Sequence, residues 1–446
     1  MKLNLKKIYY PLMAVSFGLF ASSCNDFLDR EPISSITPAQ YFNSADELGA
    51  YAINYYTSLI ATNDAAYNAG PLNVDGDTDN MVVGEANTNY FAPDRWLVPS
   101  SGGPSFSVIR AMNYFLEQVL PKKEAGAISG STEDINHYIG EIYFLRAMAY
   151  FNQLRTYGDF PIITVVPEDK TDQLVELSKR APRNEVARFI LGDLDKAISM
   201  LRPGSAFNKV RIGKEIALLV KSRVALYEAS FERYHKGTPR VPGEAGWPGA
   251  GMAYNAGKSF NIDSEVDFFL TEAMNAAKEV ADNHNLTQNT QVLNPNVNQI
   301  YGWNPYFEMF SMPNPGTLDE VLMWRQFDAN LSITHGFMAY INEGGNNGMT
   351  KSYVDAFLMA NGLPIYAANS GYKGDVTIDQ QKADRDGRLQ LFVFGESTVL
   401  NNEDSLSFFN VPTVIALTEH RDRTGFRQRK HLCLSLIHIS EPTRRS

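Results

Sequence analysis

The feature that most constrains the fold is a stripe of apolar and aromatic residues between residues 133 and 157, which recurs every three or four positions. Ile142 and Leu145 show the spacing, and Gly158 followed by Pro161 ends it. This period places the apolar side chains on one face of an α-helix, and a glycine shortly before a proline is typical of a helix C-terminus. The stripe therefore predicts a buried seam of a helical scaffold, not a ligand-binding surface.

Other segments repeat the same helical pattern. Ser44 and Glu47 have the spacing of a capping box, and apolar periodicity predicts further helices over 105–120, 184–201, 212–232 and 264–283. Helix pairs of this kind, with small residues where neighbours approach closely, indicate a tetratricopeptide-like array, although no strict repeat is present.

Residues after Asn285 have a different composition. Asn, Pro and Gly dominate, and only short strand-like runs such as "EVLMWRQF" and "LQLFVF" interrupt them. The predicted fold class is therefore mainly α. One domain over residues 24–432 would consist of a helical scaffold at about 40–283 and a loop-rich binding region at about 285–432 with a few short strands.

The N-terminal residues 1–23 have the features of a secretory signal. A basic start with Lys2, Lys6 and Lys7 precedes the apolar run "IYYPLMAVSFGLFA" and the small residues "ASSC". Small residues directly before a cysteine are typical of lipoprotein processing, so we expect lipid to be attached at Cys24 and to hold the protein on the membrane. The alternative is an ordinary signal peptide with a chance cysteine nearby.

The C-terminal residues 433–446 are interpreted as a sequencing artefact. Residues 434–444, "LSLIHISEPTR", match the in-frame translation of a widely used transposon-end sequencing adapter. We therefore expect the native residues of this sequence to stop near residue 432. The C-terminal part of the domain would then be missing from it.

Composition and motifs exclude several classes of function. The formal net charge is -10, without a basic stripe, so nucleic acid is an unfavourable partner. The two cysteines cannot form a disulfide framework. Zinc-helix, nucleophile-elbow, Walker and Rossmann motifs are absent from the sequence, and "DGDTDN" lacks the later residues of a calcium loop. No cofactor or metal is predicted, whereas a glycoside hydrolase stays open because any two acids can meet in space.

Two loop segments have the composition of a sugar-binding site. Such a site needs a flat aromatic face for the pyranose ring and polar side chains for its hydroxyl groups. The segments "APDRWLVPSSGG" and "NQIYGWNPYFEMF" supply this mixture. The candidate ligand-binding residues are Asp94, Arg95, Trp96, Tyr301, Trp303, Asn304 and Tyr306. The alternative is that these aromatic residues pack the loops onto the body of the protein.

Several longer blocks resemble one family. "CNDFLD", "EIYFLRAMAYFNQLRTYGDFPII", "PRNEVARFILGDLDKAI" and "GKEIALLVKSRVALYEASF" are similar to the SusD/RagB family of Bacteroidetes outer-membrane lipoproteins. The later blocks "YVDAFLMANGLPI", "DRDGRL" and "TGFRQRK" extend the resemblance to about residue 432, although Gly387 replaces a common proline.

The resemblance implies a function. A member of this family would be a surface-exposed lipoprotein of the outer membrane that binds oligosaccharide and delivers it to a SusC-like TonB-dependent transporter without cleaving it. Trp96 lies where the family places a stacking aromatic and is the first candidate, followed by the Tyr301–Tyr306 loop. The alternatives are a tetratricopeptide-like scaffold for a protein or peptide partner and a glycoside hydrolase.

Overall fold

The computed structural model describes the chain over residues 41–60, 75–76, 78–82, 103–328, 331, 333, 347–401, 406–411 and 423–430. Within these ranges the first half is helical. Its α-helices are α1 (Ala45–Ile53), α2 (Tyr56–Leu59), α3 (Ser107–Glu124), α4 (Thr132–Tyr157), α5 (Thr171–Leu177), α6 (Arg183–Met200), α7 (Lys214–His235) and α8 (Ile262–Ala281). The five longest lie within a few residues of the positions that the apolar pattern predicts.

The helix ends follow the local sequence. The backbone N–H of Glu47 donates to Ser44 Oγ, and the Glu47 carboxylate accepts from the Ser44 backbone, so the predicted capping box is present. Ser131 caps α4 by accepting from the N–H of Asp134. Gly158 ends that helix at a φ of 72°, a conformation that side chains with a Cβ rarely adopt.

The core of the helical half forms around α4. This helix contacts α1, α3 and α6, and α7 packs between α6 and α8. Ile139, Ile142, Leu145 and Tyr150 are fully buried in the continuous core cluster. The stripe on α4 is therefore scaffold, as the sequence predicts.

Buried ion pairs fix the helices relative to one another. Arg146 on α4 donates to both oxygens of Asp193 on α6, at 2.6 and 2.8 Å. Arg183 donates to both oxygens of Glu228 on α7 at 2.8 Å. Each pair joins two helices through a planar two-bond contact, which specifies their register as well as their distance.

The loop-rich half has short elements. Its helices are α9 (Pro305–Glu308), α10 (Lys351–Ala356), α11 (Ile378–Lys382) and α12 (Gly387–Phe392). The strands of the structure are β1 (Met81–Val82), β2 (Phe160–Pro161), β3 (Arg180–Ala181), β4 (Gly348–Met349), β5 (Val399–Asn401) and β6 (Ser407–Phe408). They form the antiparallel pairs β1–β4, β2–β3 and β5–β6, so the predicted mainly α class with a few short strands is confirmed.

A second apolar cluster supports this half. It contains Trp303, Phe307, Leu391, Phe394 and Phe409, all buried. Within the described ranges, none of the helices is both long enough and apolar enough to cross a bilayer.

Candidate functional site

The loop before α9 is held by amide hydrogen bonds. Asn304 caps α9, and its Nδ2 donates to Asn289 Oδ1 at 2.9 Å and to the carbonyl of Val292 at 3.0 Å. The hydroxyl of Thr290 donates to the carbonyl of Trp303 at 2.7 Å. Segments 289–294 and 301–308 are therefore a single structural unit.

Two of the sequence candidates lie inside this unit. Trp303 is 4% exposed, its ring centroid lies 4.8 Å from that of Phe307, and the Arg429 guanidinium lies 5.5 Å from it. Asn304 is fully buried, and its side-chain amide donates a hydrogen bond to Asn289 within the loop. The expectation that these two residues contact a ligand does not fit their burial, and the alternative that they pack the loop onto the body describes them better.

The two tyrosines of the same loop have different environments. Tyr301 is 40% exposed and precedes Gly302, whose φ of 82° turns the chain toward the core. Tyr306 is half-buried, with its ring against Phe310 and Phe392. Of the candidates in this loop, Tyr301 is the most exposed. Asp94, Arg95, Trp96 and Cys24 lie outside the described residues.

A pocket of about 180 Å³, lined mostly by polar residue types, lies beside the same unit. The loop 293–294, helix α11, Gln390 of α12 and the turn before β5 surround it. Its lining residues are Leu293, Asn294, Asp379, Lys382, Ala383, Gln390, Ser397 and Thr398. Carboxylate, ammonium, amide and hydroxyl groups around one opening are the groups that bind sugar hydroxyls.

The pocket wall is rigid because its polar groups bond to one another. Asn294 donates from Nδ2 to the carbonyl of Ser397 and accepts at Oδ1 from the N–H of Val399, both at 3.0 Å. Asp379 Oδ2 accepts from the N–H of Ser397 at 2.6 Å. Glu396 caps α11 by accepting from the backbone N–H groups of Ile378 and Asp379.

Gly395 brings two opposite charges together at the pocket. A Cβ at this position would stand 2.1 Å from Asp379 Oδ1 and 3.3 Å from Lys382 Nζ. The carboxylate therefore occupies the space that a side chain would take. Glycine is needed here for this close approach, since its φ is not in the left-handed region.

Lys382 is buried without a carboxylate partner at ion-pair distance among the described residues. Its Nζ donates to the carbonyl of Val393, at the C-terminus of α12, at 2.5 Å. Burial lowers the pKa of the Lys382 amine to about 8, against the opposing attraction of Asp379. The ammonium is thus held by a helix end and still faces the pocket.

Comparison with known proteins relates part of the chain to one family. The profile of the SusD-like group described as "Starch-binding associating with outer membrane" matches residues 26–226. This part of the chain resembles the SusD-like family. SusD-like protein P2 of Formosa agariphila is 22% identical over 241 residues, which cover 50% of this chain and 44% of the relative. SusD-like protein P38 of the same organism is 23% identical and is covered over 42% of its length, so this chain spans less than half the length of these two relatives.

Solved SusD-like structures share the fold. A SusD-like protein from Bacteroides fragilis superposes with a TM-score of 0.56 at 20% identity, covering 90% of this chain and 71% of that chain. A SusD-like carbohydrate binding protein from the same species superposes with a TM-score of 0.57 at 15% identity, covering 87% of this chain and 68% of that chain. The chain therefore shares its fold with these two structures.

Asp379 and Lys382 are the candidate-site residues that the sequence pattern did not predict. They stand three apart in "DQQK", which places them on one face of a single helical turn. That spacing is common on solvated helices, so it does not mark a pocket. The proximity of Gly395 and Asn294, which are distant in sequence, creates the pocket.

Proposed function

We propose that this protein is a cell-surface glycan-binding lipoprotein. It is anchored in the outer membrane through acylated Cys24, binds oligosaccharide with its loop-rich half and delivers it to a SusC-like TonB-dependent transporter. It does not cleave the glycan. The helical half acts as the support from which the loops extend.

The observation that carries the proposal is the family match over residues 26–226, whose description names starch binding and the outer membrane. One structural neighbour is described as a carbohydrate binding protein. The local chemistry supports the same class of ligand. Tyr301 offers an exposed aromatic face, and the pocket lined by Asp379 and Lys382 offers donors and acceptors for hydroxyl groups.

The experiment is glycan-array binding by the purified protein, followed by calorimetry with the best oligosaccharide. Tyr301→Ala and Trp96→Ala are expected to weaken binding while thermal unfolding stays unchanged. Tyr234→Ala is the matched control, because Tyr234 is an 81% exposed tyrosine on α7 of the helical half. Its removal is expected to leave glycan affinity as it is.

Other outcomes would point to other functions. Co-purification with a transporter but no retention of any glycan on the array would favour a scaffold for a protein partner. Release of reducing ends that disappears when one acid is replaced would favour a glycoside hydrolase. In either case the proposal for a glycan-delivering lipoprotein would be wrong.

A further inference from the structure

Two opposite charges face each other across the pocket without forming an ion pair. Asp379 Oδ1 lies 2.1 Å, and Lys382 Nζ 3.3 Å, from the position that a Cβ would take on Gly395. The distance between the two atoms therefore cannot exceed the sum of these values. The structure shows no ion pair between the two groups. A hydroxyl oxygen can lie at a hydrogen-bond distance of about 2.8 Å from both the Asp379 carboxylate and the Lys382 ammonium and so bridge them. The three atoms would not be collinear.

We propose that this pocket holds one sugar unit of a neutral oligosaccharide, with a hydroxyl group bridging the Asp379 carboxylate and the Lys382 ammonium. The hydroxyl hydrogen is donated to the carboxylate, and the oxygen accepts from the ammonium. A hydroxyl group can do both at once, because it carries one donor and two acceptor lone pairs. The inference rests on the proposed glycan-binding function and names the site and the class of sugar.

The charge balance of the pocket favours a neutral ligand. One carboxylate and one ammonium line it. The nearby Glu396 carboxylate already accepts from two backbone N–H groups at the start of α11. The carboxylate of a uronic acid would lie close to Asp379, where like charges in a partly desolvated site repel strongly. A sugar that carries only hydroxyl groups satisfies both Asp379 and Lys382 without that repulsion.

The pocket is built before any ligand arrives. Asn294 links the Ser397 carbonyl to the Val399 N–H, and Asp379 Oδ2 is fixed by the Ser397 N–H. Only the Oδ1 side of the carboxylate lies against Gly395 together with the ammonium. Binding groups that are already ordered lose little conformational entropy when the ligand binds. The size of about 180 Å³ matches one ring rather than a chain of sugars.

The first test uses Asp379→Asn. The asparagine carbonyl can keep the bond from Ser397 N–H, while its amide replaces Oδ1 and cannot accept a hydroxyl hydrogen. We expect about tenfold weaker binding of the array-selected neutral oligosaccharide, the loss typical of a hydrogen bond to a charged group. Asp384→Asn is the matched control, because Asp384 lies in the same half, is exposed, and has a φ of 56° that asparagine tolerates. That variant is expected to bind as wild type does.

The second test uses Lys382→Met, which removes the ammonium and keeps an unbranched apolar side chain of nearly the same length. Binding of the same oligosaccharide is measured between pH 6 and 10 by calorimetry, alongside methyl glucoside, methyl galactoside and methyl mannoside as single-unit competitors. The wild type is expected to lose affinity as the amine loses its proton, and Lys382→Met is expected to bind weakly at every pH. A role in folding alone would not produce this difference between the two pH profiles.

The outcomes separate this inference from the function on which it rests. If Asp379→Asn and Lys382→Met bind as wild type does while Tyr301→Ala weakens binding, the pocket is not the site and the glycan-binding function stands. If the wild type retains only uronate-containing oligosaccharides, the neutral class is wrong. If the wild type retains no glycan at all, the proposed function fails and this inference fails with it.

Discussion

The replacement Glu232→Gln should make the protein more stable at alkaline pH. Glu232 lies on α7, is fully buried, and neither carboxyl oxygen has a partner within the part of the chain that the structure describes. Its charged neighbours are Glu228, Glu265, Arg183 and Arg188. Both arginines are already bonded to the other two acids, at 2.8 and 2.9 Å. Glu232 therefore has two acids nearby and no cation of its own.

The size of the effect follows from the pKa. Burial, followed by repulsion from Glu228 and Glu265, raises the pKa of the Glu232 carboxyl from 4.5 to about 8. A raised pKa means that the folded state holds a proton which the unfolded state releases, so stability is fully present below pH 4.5 and is lost as the pH rises to 8. At about 1.4 kcal/mol per pKa unit, the loss above pH 8 is on the order of 5 kcal/mol.

Urea denaturation of the wild type and the variant at pH 5, 7 and 9 measures this loss. Glutamine has nearly the same shape and does not ionise, so we expect the two free energies of unfolding to be similar at pH 5 and to separate by several kcal/mol at pH 9. Glu133→Gln serves as the control, since Glu133 is exposed in the first turn of α4. That variant should follow the wild-type pH profile.

Parallel pH profiles for the wild type and Glu232→Gln would refute the reasoning. They would mean that Glu232 is ionised in the folded protein, stabilised by water or by a shift of Arg183 or Arg188. A loss of stability at every pH would instead mean that the amide is worse placed than the protonated acid.

Three further predictions concern other positions. Trp303→Ala should lower the free energy of unfolding by about 3–5 kcal/mol in urea denaturation, the usual cost of removing a buried tryptophan ring. Tyr301→Ala should leave the denaturation midpoint unchanged. Equal midpoints for the two variants would show that Trp303 is not in the core. Glycan affinity measured by calorimetry should fall as the pH rises through about 8, where the Lys382 amine loses its proton, and a flat profile would remove Lys382 from the site. Arg146→Met should cost about 3–5 kcal/mol because it leaves Asp193 buried without its two-bond partner, and an unchanged denaturation midpoint would contradict this.

The helical half could be predicted well because its signals are local. The α4 stripe, the Ser44 capping box and the Gly158 helix end each depend on residues within a few turns of one another. The partners of the buried arginines are different. Arg146 meets Asp193, 47 positions along the chain, and nothing in the spacing of either residue indicates the other. Such contacts depend on how helices pack, which periodicity alone does not specify.

The candidate site was less predictable for the same reason. The loop "NQIYGWNPYFEMF" mixes five aromatic residues with four polar ones, and sequence alone does not separate Tyr301, which is 40% exposed, from Trp303, which is buried in the core. That division depends on Gly302, which turns the loop, and on Arg429, which covers the indole from a segment more than a hundred residues away. The pocket at Lys382 likewise requires Asn294 and Gly395 to come together.

The two halves stabilise their buried cations in different ways. In the helical half Arg146 and Arg183 bond to carboxylates, which leaves neither charge available to a ligand. In the loop-rich half Arg385 donates to the carbonyls of Val354 and Phe357 at the end of α10, and Lys382 donates to Val393 at the end of α12.

A helix C-terminus stabilises a cation without cancelling its charge, because it supplies partial negative charge on carbonyl oxygens. Lys382 uses one of its three N–H donors on such a carbonyl, so the others can exchange water for a sugar hydroxyl without breaking an ion pair. A guanidinium that is paired with a buried carboxylate cannot bind a sugar hydroxyl in this way, because separating the pair leaves an uncompensated buried charge. This difference is why we propose the pocket of the loop-rich half as the ligand site and assign the helical half a supporting role.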